Sequence, residues 1–138
     1  MNILVSKCLL GYNCRYKGDN ARCEKVIALQ KEHNLIPVCP ESEGGLQIPR
    51  DPGERVGDKV ISKSGKDITK EYKKGAEIAL KLAQDNHIDY AIMKAKSPSC
   101  GKGLIYDGTF TGNKIPGNGV AVDLLLENGF TVYTEEEI

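Results

Sequence analysis

Three cysteines sit in turns that follow apolar runs: Cys8 after Asn2-Ile3-Leu4-Val5, Cys39 after Leu35-Ile36-Pro37-Val38, and Cys100 after Tyr90-Ala91-Ile92-Met93. The third turn, Ser97-Pro98-Ser99-Cys100-Gly101, packs two hydroxyls, a thiol, a proline and a glycine into five residues. Pro98 fixes its own φ and drives Ser97 toward extended geometry, while Gly101 lets the backbone approach whatever Cys100 holds. Thiolates suit zinc and iron–sulfur clusters. A structural zinc needs a closed set of four ligands, and the close C-x-x-C pairs that usually supply them are absent. Cys14 and Cys23 do not lie at strand ends and are read as structural. A cubane held by three cysteines leaves one iron open as a Lewis acid. On residues alone, three readings stay open: inert buried thiols, a metal or cluster site, and thiol redox chemistry.

The bulk properties narrow the setting. At 138 residues the chain is expected to form one domain, 1–138, large enough to bury a core without staples. Lysine plus arginine and aspartate plus glutamate each number 19, so the charges cancel, and neither nucleic acid nor an anionic membrane is expected as partner. No apolar run approaches bilayer length. The opening Asn2-Ile3-Leu4-Val5 lacks the pattern of a secretory signal, so a cytoplasmic location is expected. Thiols stay reduced there, which argues against a disulfide framework for five cysteines.

The elements that must carry these turns read as alternating strands and helices. Strands are expected at 2–6, 35–38, 89–94 and 130–133, with Pro37 demoting the second to an edge. Helices are expected from Ala21, capped by Asn20, to His33; from a Thr69 cap to about His87; and from Gly117 to Asn128, stopped by Gly129. Small hairpins are expected at Lys59–Ile68 and Gly103–Thr111, the latter turning at Asp107-Gly108. Cys39 to Gly57 reads as one long connection, and Glu135–Glu137 as a solvated tail. This order implies right-handed β-α-β crossovers and an α/β fold: a small, open, mainly parallel sheet with helices on both faces, Rossmann- or flavodoxin-like in three layers. Ligands bind beyond the carboxyl ends of such strands. Cys8, Cys39 and Cys100 therefore share one rim.

Four separated motifs, in order, resemble the thiouracil desulfidase family: Ser6-Lys7-Cys8-Leu9-Leu10-Gly11; Cys14-Arg15-Tyr16-Lys17-Gly18; Cys39-Pro40-Glu41 with Gly44-Gly45-Leu46 and Pro49-Arg50; and Ser97-Pro98-Ser99-Cys100-Gly101. The resemblance spans nearly the whole chain. It implies an oxygen-sensitive 4Fe–4S cluster on the cysteines matching Cys8, Cys39 and Cys100. The implied reaction is non-redox: water oxygen replaces the sulfur of a thiolated pyrimidine, a small-molecule substrate resembling 2-thiouracil. Glu41 matches the family's catalytic acid/base and Ser97 its catalytic serine. A carboxylate beside a net-negative cluster holds its proton more tightly, which suits acid/base work near neutrality.

Ser99, Gly44, Gly45 and Arg50 are candidate substrate contacts: Ser99 by hydrogen bonding the ring, the glycines by admitting a flat ring, Arg50 by meeting an anionic group. Without the resemblance, Glu41 reads as a loop carboxylate paired with Arg50 or Arg55, and the two glycines as turn residues. Arg15 and Arg55 either share the anion-binding role or tie down loops. Two rival functions remain at this level. One is a protein that handles sulfide or iron–sulfur units without hydrolysing a base; the other is a domain whose cysteines hold structural zinc.

Overall fold

A computed structural model describes residues 1–138. Its frame is a four-stranded parallel sheet of β1 (Asn2–Ser6), β2 (Asn34–Val38), β5 (Tyr90–Met93) and β8 (Val132–Thr134), in spatial order β2-β1-β5-β8. Between them, in chain order, lie α1 (Glu24–Ala28), α2 (Pro40–Glu43), the antiparallel pair β3 (Gly53–Val56) and β4 (Lys59–Ser62), and α3 (Thr69–Asp85). After β5 come a second antiparallel pair, β6 (Leu104–Tyr106) and β7 (Lys114–Pro116), and then α4 (Val120–Glu127).

Alternation along the strands explains the layers. Ile3, Val5 and Ile92 point to a core shared with Leu9 and Val26 on the α1 side. Leu4, Ala91 and Met93 point to the opposite core, built with Ala76, Ala79 and Ala83 of α3 and Ala121, Val122 and Leu125 of α4. The expected α/β architecture is therefore present, with helices on both faces. Pro37 lies on β2, which pairs only with β1, so its missing donor faces no neighbour.

Register fixes the rim. Ser6 pairs with Val38, Val5 with Ile92 and Met93 with Thr134, so the four strands end together. The chain leaves β1 toward β2 but crosses to β5 on the other side. The carboxyl ends of β1 and β5 thus form a topological switch point, where a crevice opens.

Several local expectations are corrected. The first helix is short, running from Glu24 to Ala28 and continuing as a 3-10 turn over Leu29–Lys31. Asn20 does not cap it: its side chain accepts the Arg22 N–H in an Asx turn. Cys23 stands at the N-cap instead. Thr69 is already inside α3, and its hydroxyl accepts the Val60 N–H of β4. The stretch 39–57 is not one irregular connection, since it holds α2 and β3. β4 pairs with β3 upstream, leaving only an isolated bridge between Ile61 and Asp67 downstream. β6 finds its partner at Lys114–Pro116, past the expected end of that hairpin.

The acidic end is solvated at Glu136 and Glu137, as expected, but it is not a free tail. Glu135–Glu137 form a 3-10 turn whose carboxylates pair with Lys94, Lys96 and Lys102, on either side of the Ser97–Gly101 turn. No helix is long and apolar enough to cross a membrane.

Candidate active site

A cavity of about 490 Å³ opens at the switch point, lined by Cys8, Cys39 and Cys100 together with Glu41, Ser97, Ser99 and Arg50. Each thiol reaches it for a local reason. Cys8 lies in a 3-10 turn directly after β1, closed by Gly11 in left-handed backbone (φ 97°). Cys39 is the residue after β2 and the N-cap of α2, with Pro40 at the first helical position, where its missing N–H costs nothing. Cys100 follows β5 in a turn organised by Ser97, whose Oγ accepts the N–H groups of Cys100 at 2.8 Å and Ser99 at 3.1 Å. All three are buried.

Glu41 sits on α2, two residues past Cys39, and both carboxylate oxygens are engaged. Oε1 accepts from Arg50 Nη2 at 3.1 Å and Nε at 3.3 Å; Oε2 accepts from the Ser99 hydroxyl at 2.8 Å. Arg50 also donates to the carbonyl of Cys14 at 2.9 Å and that of Gln47 at 3.1 Å. The pairing with Arg50, read from the residues alone, and the placement at the thiols, implied by the resemblance, are both present. Ser97 stands one bond further off, its Oγ 3.0 Å from Ser99 Oγ. Cys100 Sγ lies 3.4 Å from the Ser99 oxygen, which can accept its thiol proton.

Without a bound group Cys14, Cys39 and Cys100 hold their protons at neutral pH. Burial, above all, pushes Cys100 up to about 12. Cys39 is pushed up strongly by its hydrogen bond with Cys14, then by burial. For Cys14 the contact with Cys39 pulls the value down, but the contact with Cys8 and burial outweigh it and leave it raised, at about 11. Loading a metal group must displace such protons.

Two expected contacts do not reach the cavity. Gly44 faces α3, and a β-carbon there would overlap the carbonyl oxygen of Glu71; its role is close packing of α2 on α3. Gly45, at φ 105°, ends α2 in open space. Arg55 is also elsewhere, tying β3 to α4 through Asp123 and the Asn118 carbonyl. Arg15 does line the cavity.

Other lining residues were not singled out by the sequence. Cys14, set aside as structural, is buried beside Cys8 and Cys39. Tyr72 lies beside Glu41, its hydroxyl held neutral by burial first and the Glu41 charge second. Its signal was available: on α3 it continues the buried row of Ala76, Ala79 and Ala83. Ser6, Glu54, Tyr106 and Phe110 also line the wall, and the last three gave no motif to follow.

A model of the 2-thiouracil desulfurase family matches residues 3–137. The chain belongs to that family. This is the membership that the four motifs anticipate. A Bacillus subtilis (strain 168) relative, the uncharacterized protein YbbK, is 42% identical over 146 residues, covering 99% of this chain and 97% of its own. A solved structure, the [4Fe-4S]-dependent thiouracil desulfidase TudS, superposes with a TM-score of 0.94 at 42% identity, covering 99% of this chain and 92% of that one. At such similarity the parallel sheet and its rim are common to both proteins.

Proposed function

We propose that this family member is a single-domain desulfidase that hydrolyses a thiolated pyrimidine such as 2-thiouracil to the oxo-pyrimidine and sulfide, using a 4Fe–4S cluster held by Cys8, Cys39 and Cys100. The observation that carries this reading is the convergence of three buried thiols, from three strand ends, with the Glu41 carboxylate in one cavity. The donor set fits the cluster: three soft thiolates are the ligands such iron prefers. The solved relative TudS, a [4Fe-4S]-dependent thiouracil desulfidase, supports the same cofactor and substrate class.

A cluster held by Cys8, Cys39 and Cys100 would supply Lewis acidity to the C–S bond of the substrate. The chain does the rest. Glu41 Oε2 is the atom at which a proton is taken from water or delivered to the ring, and Ser99 is the hydroxyl through which that proton passes. Arg50 fixes the other oxygen, so the carboxylate needs little reorientation during the reaction. The Pro40 and Pro98 turns hold these groups on stiff backbone.

Anaerobic reconstitution with iron and sulfide, followed by a thiouracil turnover assay, tests the reading. Turnover by the wild type, and cluster absorbance without turnover in Glu41→Gln, is the expected result. Cluster formation with no loss of thiouracil in the wild type would leave a sulfur-handling protein. Tight zinc and no cluster would leave a zinc domain.

A further inference from the structure

The loop 107–113 joining β6 to β7 contributes Phe110 and Gly112 to the cavity wall, and nothing in the mechanism above uses it. Phe110 has φ 57°, left-handed backbone that a bulky residue rarely adopts. It is held there. Glu54 on β3, 8% exposed, accepts the N–H of Gly108 at 2.9 Å and of Phe110 at 3.1 Å on a single oxygen, Oε1. A β-carbon on Gly108 would stand 2.7 Å from the Val56 side chain, so the loop lies flat on β3. The turn also closes on itself: Asp107 Oδ1 accepts the Thr109 N–H at 2.9 Å and its hydroxyl at 2.6 Å. A buried carboxylate is thus committed to keeping one aromatic residue in an unfavourable conformation at the cavity wall, a pattern typical of ligand clamps.

The other aromatic residues of the wall are engaged. Lys17 lies over the Tyr16 ring at 5.7 Å and Lys114 over Tyr106 at 5.5 Å, while Tyr72 is 1% exposed. Phe110 is the aromatic side chain of the wall that is neither fully buried nor covered by a cation. A pyrimidine ring offers two π faces and little else apolar, so an aromatic side chain in the wall is a suitable partner for it.

We infer that Phe110 stacks on the heteroaromatic ring of the substrate and sets its position, with Glu54 as the residue that positions Phe110; this rests on the desulfidase reading for the identity of the ring. Loss of one stacking partner is expected to weaken ring binding about 10-fold. Phe110→Leu keeps the bulk, so folding is preserved, and should raise KM for 2-thiouracil by about that factor with kcat nearly unchanged. Phe110→Trp should keep the wild-type KM. Glu54→Ala should reproduce the Phe110→Leu defect, and Glu54→Gln, which retains an acceptor oxygen, should not.

Cluster absorbance should be the same in all four variants. Uracil, the ring without its sulfur, gives a readout independent of turnover: its dissociation constant for the protein after anaerobic reconstitution, measured by titration calorimetry, should also rise about 10-fold in Phe110→Leu. A Phe110→Leu protein with wild-type KM and wild-type uracil affinity overturns the inference, as does a wild type that binds no uracil. Absence of thiouracil turnover in the wild type overturns the desulfidase reading alone, because the uracil titration still decides whether Phe110 holds a ring.

Discussion

The Ser99 hydroxyl donates to Glu41 Oε2 at 2.8 Å, joining the turn after β5 to the first turn of α2 across the floor of the cavity. Ser99 is 2% exposed, and its oxygen also lies 3.0 Å from Ser97 Oγ. The two hydroxyls and the carboxylate form a line along which a proton can move. Removing a hydrogen bond to a charged group costs about 1.5–3 kcal/mol, so Ser99→Ala should lower kcat about 10- to 100-fold while leaving cluster absorbance intact. Steady-state kinetics on reconstituted protein check this. A kcat unchanged by the substitution would remove Ser99 from the proton path.

The four thiols of the cavity should not be equivalent. Cys8, Cys39 and Cys100 each follow a strand of the sheet, whereas Cys14 comes from the loop between β1 and α1. Serine at any of the first three should abolish stable iron loading. Cys14→Ser should keep full iron and sulfide content after anaerobic reconstitution. Iron and sulfide analysis decides it, and loss of iron from Cys14→Ser would make that residue a ligand.

The acidic end of the chain makes stability depend on pH in a defined direction. Glu135 accepts the Ala95 N–H at 2.7 Å, Glu136 pairs with Lys96 at 2.9 Å and Glu137 with Lys102 at 3.0 Å. The hydrogen bond and charge of Lys96 hold Glu136 below the usual carboxylate range; for Glu137 the cause is first the Thr134 N–H, then Lys102. Groups with lowered values stabilise the fold fully above the unfolded-chain glutamate pKa of about 4.3 and progressively less as pH falls through the lowered values. The urea midpoint should therefore drop below about pH 4. A Glu136→Gln/Glu137→Gln double variant should show less of that drop, starting from a lower midpoint at pH 7.

Gly75 offers a test of how α2 is held. Alanine in a helix interior is ordinarily about 1 kcal/mol better than glycine. At Gly75, however, a β-carbon would overlap the carbonyl oxygen of Pro40, between Cys39 and Glu41. Gly75→Ala should instead destabilise the protein by about 1–3 kcal/mol, read as a lower urea midpoint, and should impair iron loading by displacing Cys39.

Much of the sheet was legible in the sequence because each strand is a short apolar run bounded by turn residues, and the convergence of Cys8, Cys39 and Cys100 follows from those strands. That Glu41 and Ser97 stand on the cavity wall was legible only through motif resemblance; nothing local marks either as more than a polar turn residue. The short α1 was not, because Asn20 satisfies the Arg22 N–H instead of a helix terminus. Gly44 looked like a place for a ligand and is a place for a helix, a distinction that only the position of α3 reveals. Glu54 and Phe110 lie 56 residues apart, and their link is a side-chain oxygen meeting a backbone N–H. No pattern of spacing encodes that.

Cys8, Cys39 and Cys100 divide the chain into spans of about 30 and 60 residues, so whatever grips all three is also a cross-link. It closes two long loops in the denatured polypeptide and removes chain entropy there, on the order of a few kcal/mol for each closure. Iron supply would then govern not only turnover but how long the polypeptide survives proteolysis. Oxygen, by stripping that tie, would mark the protein for destruction as well as silence it.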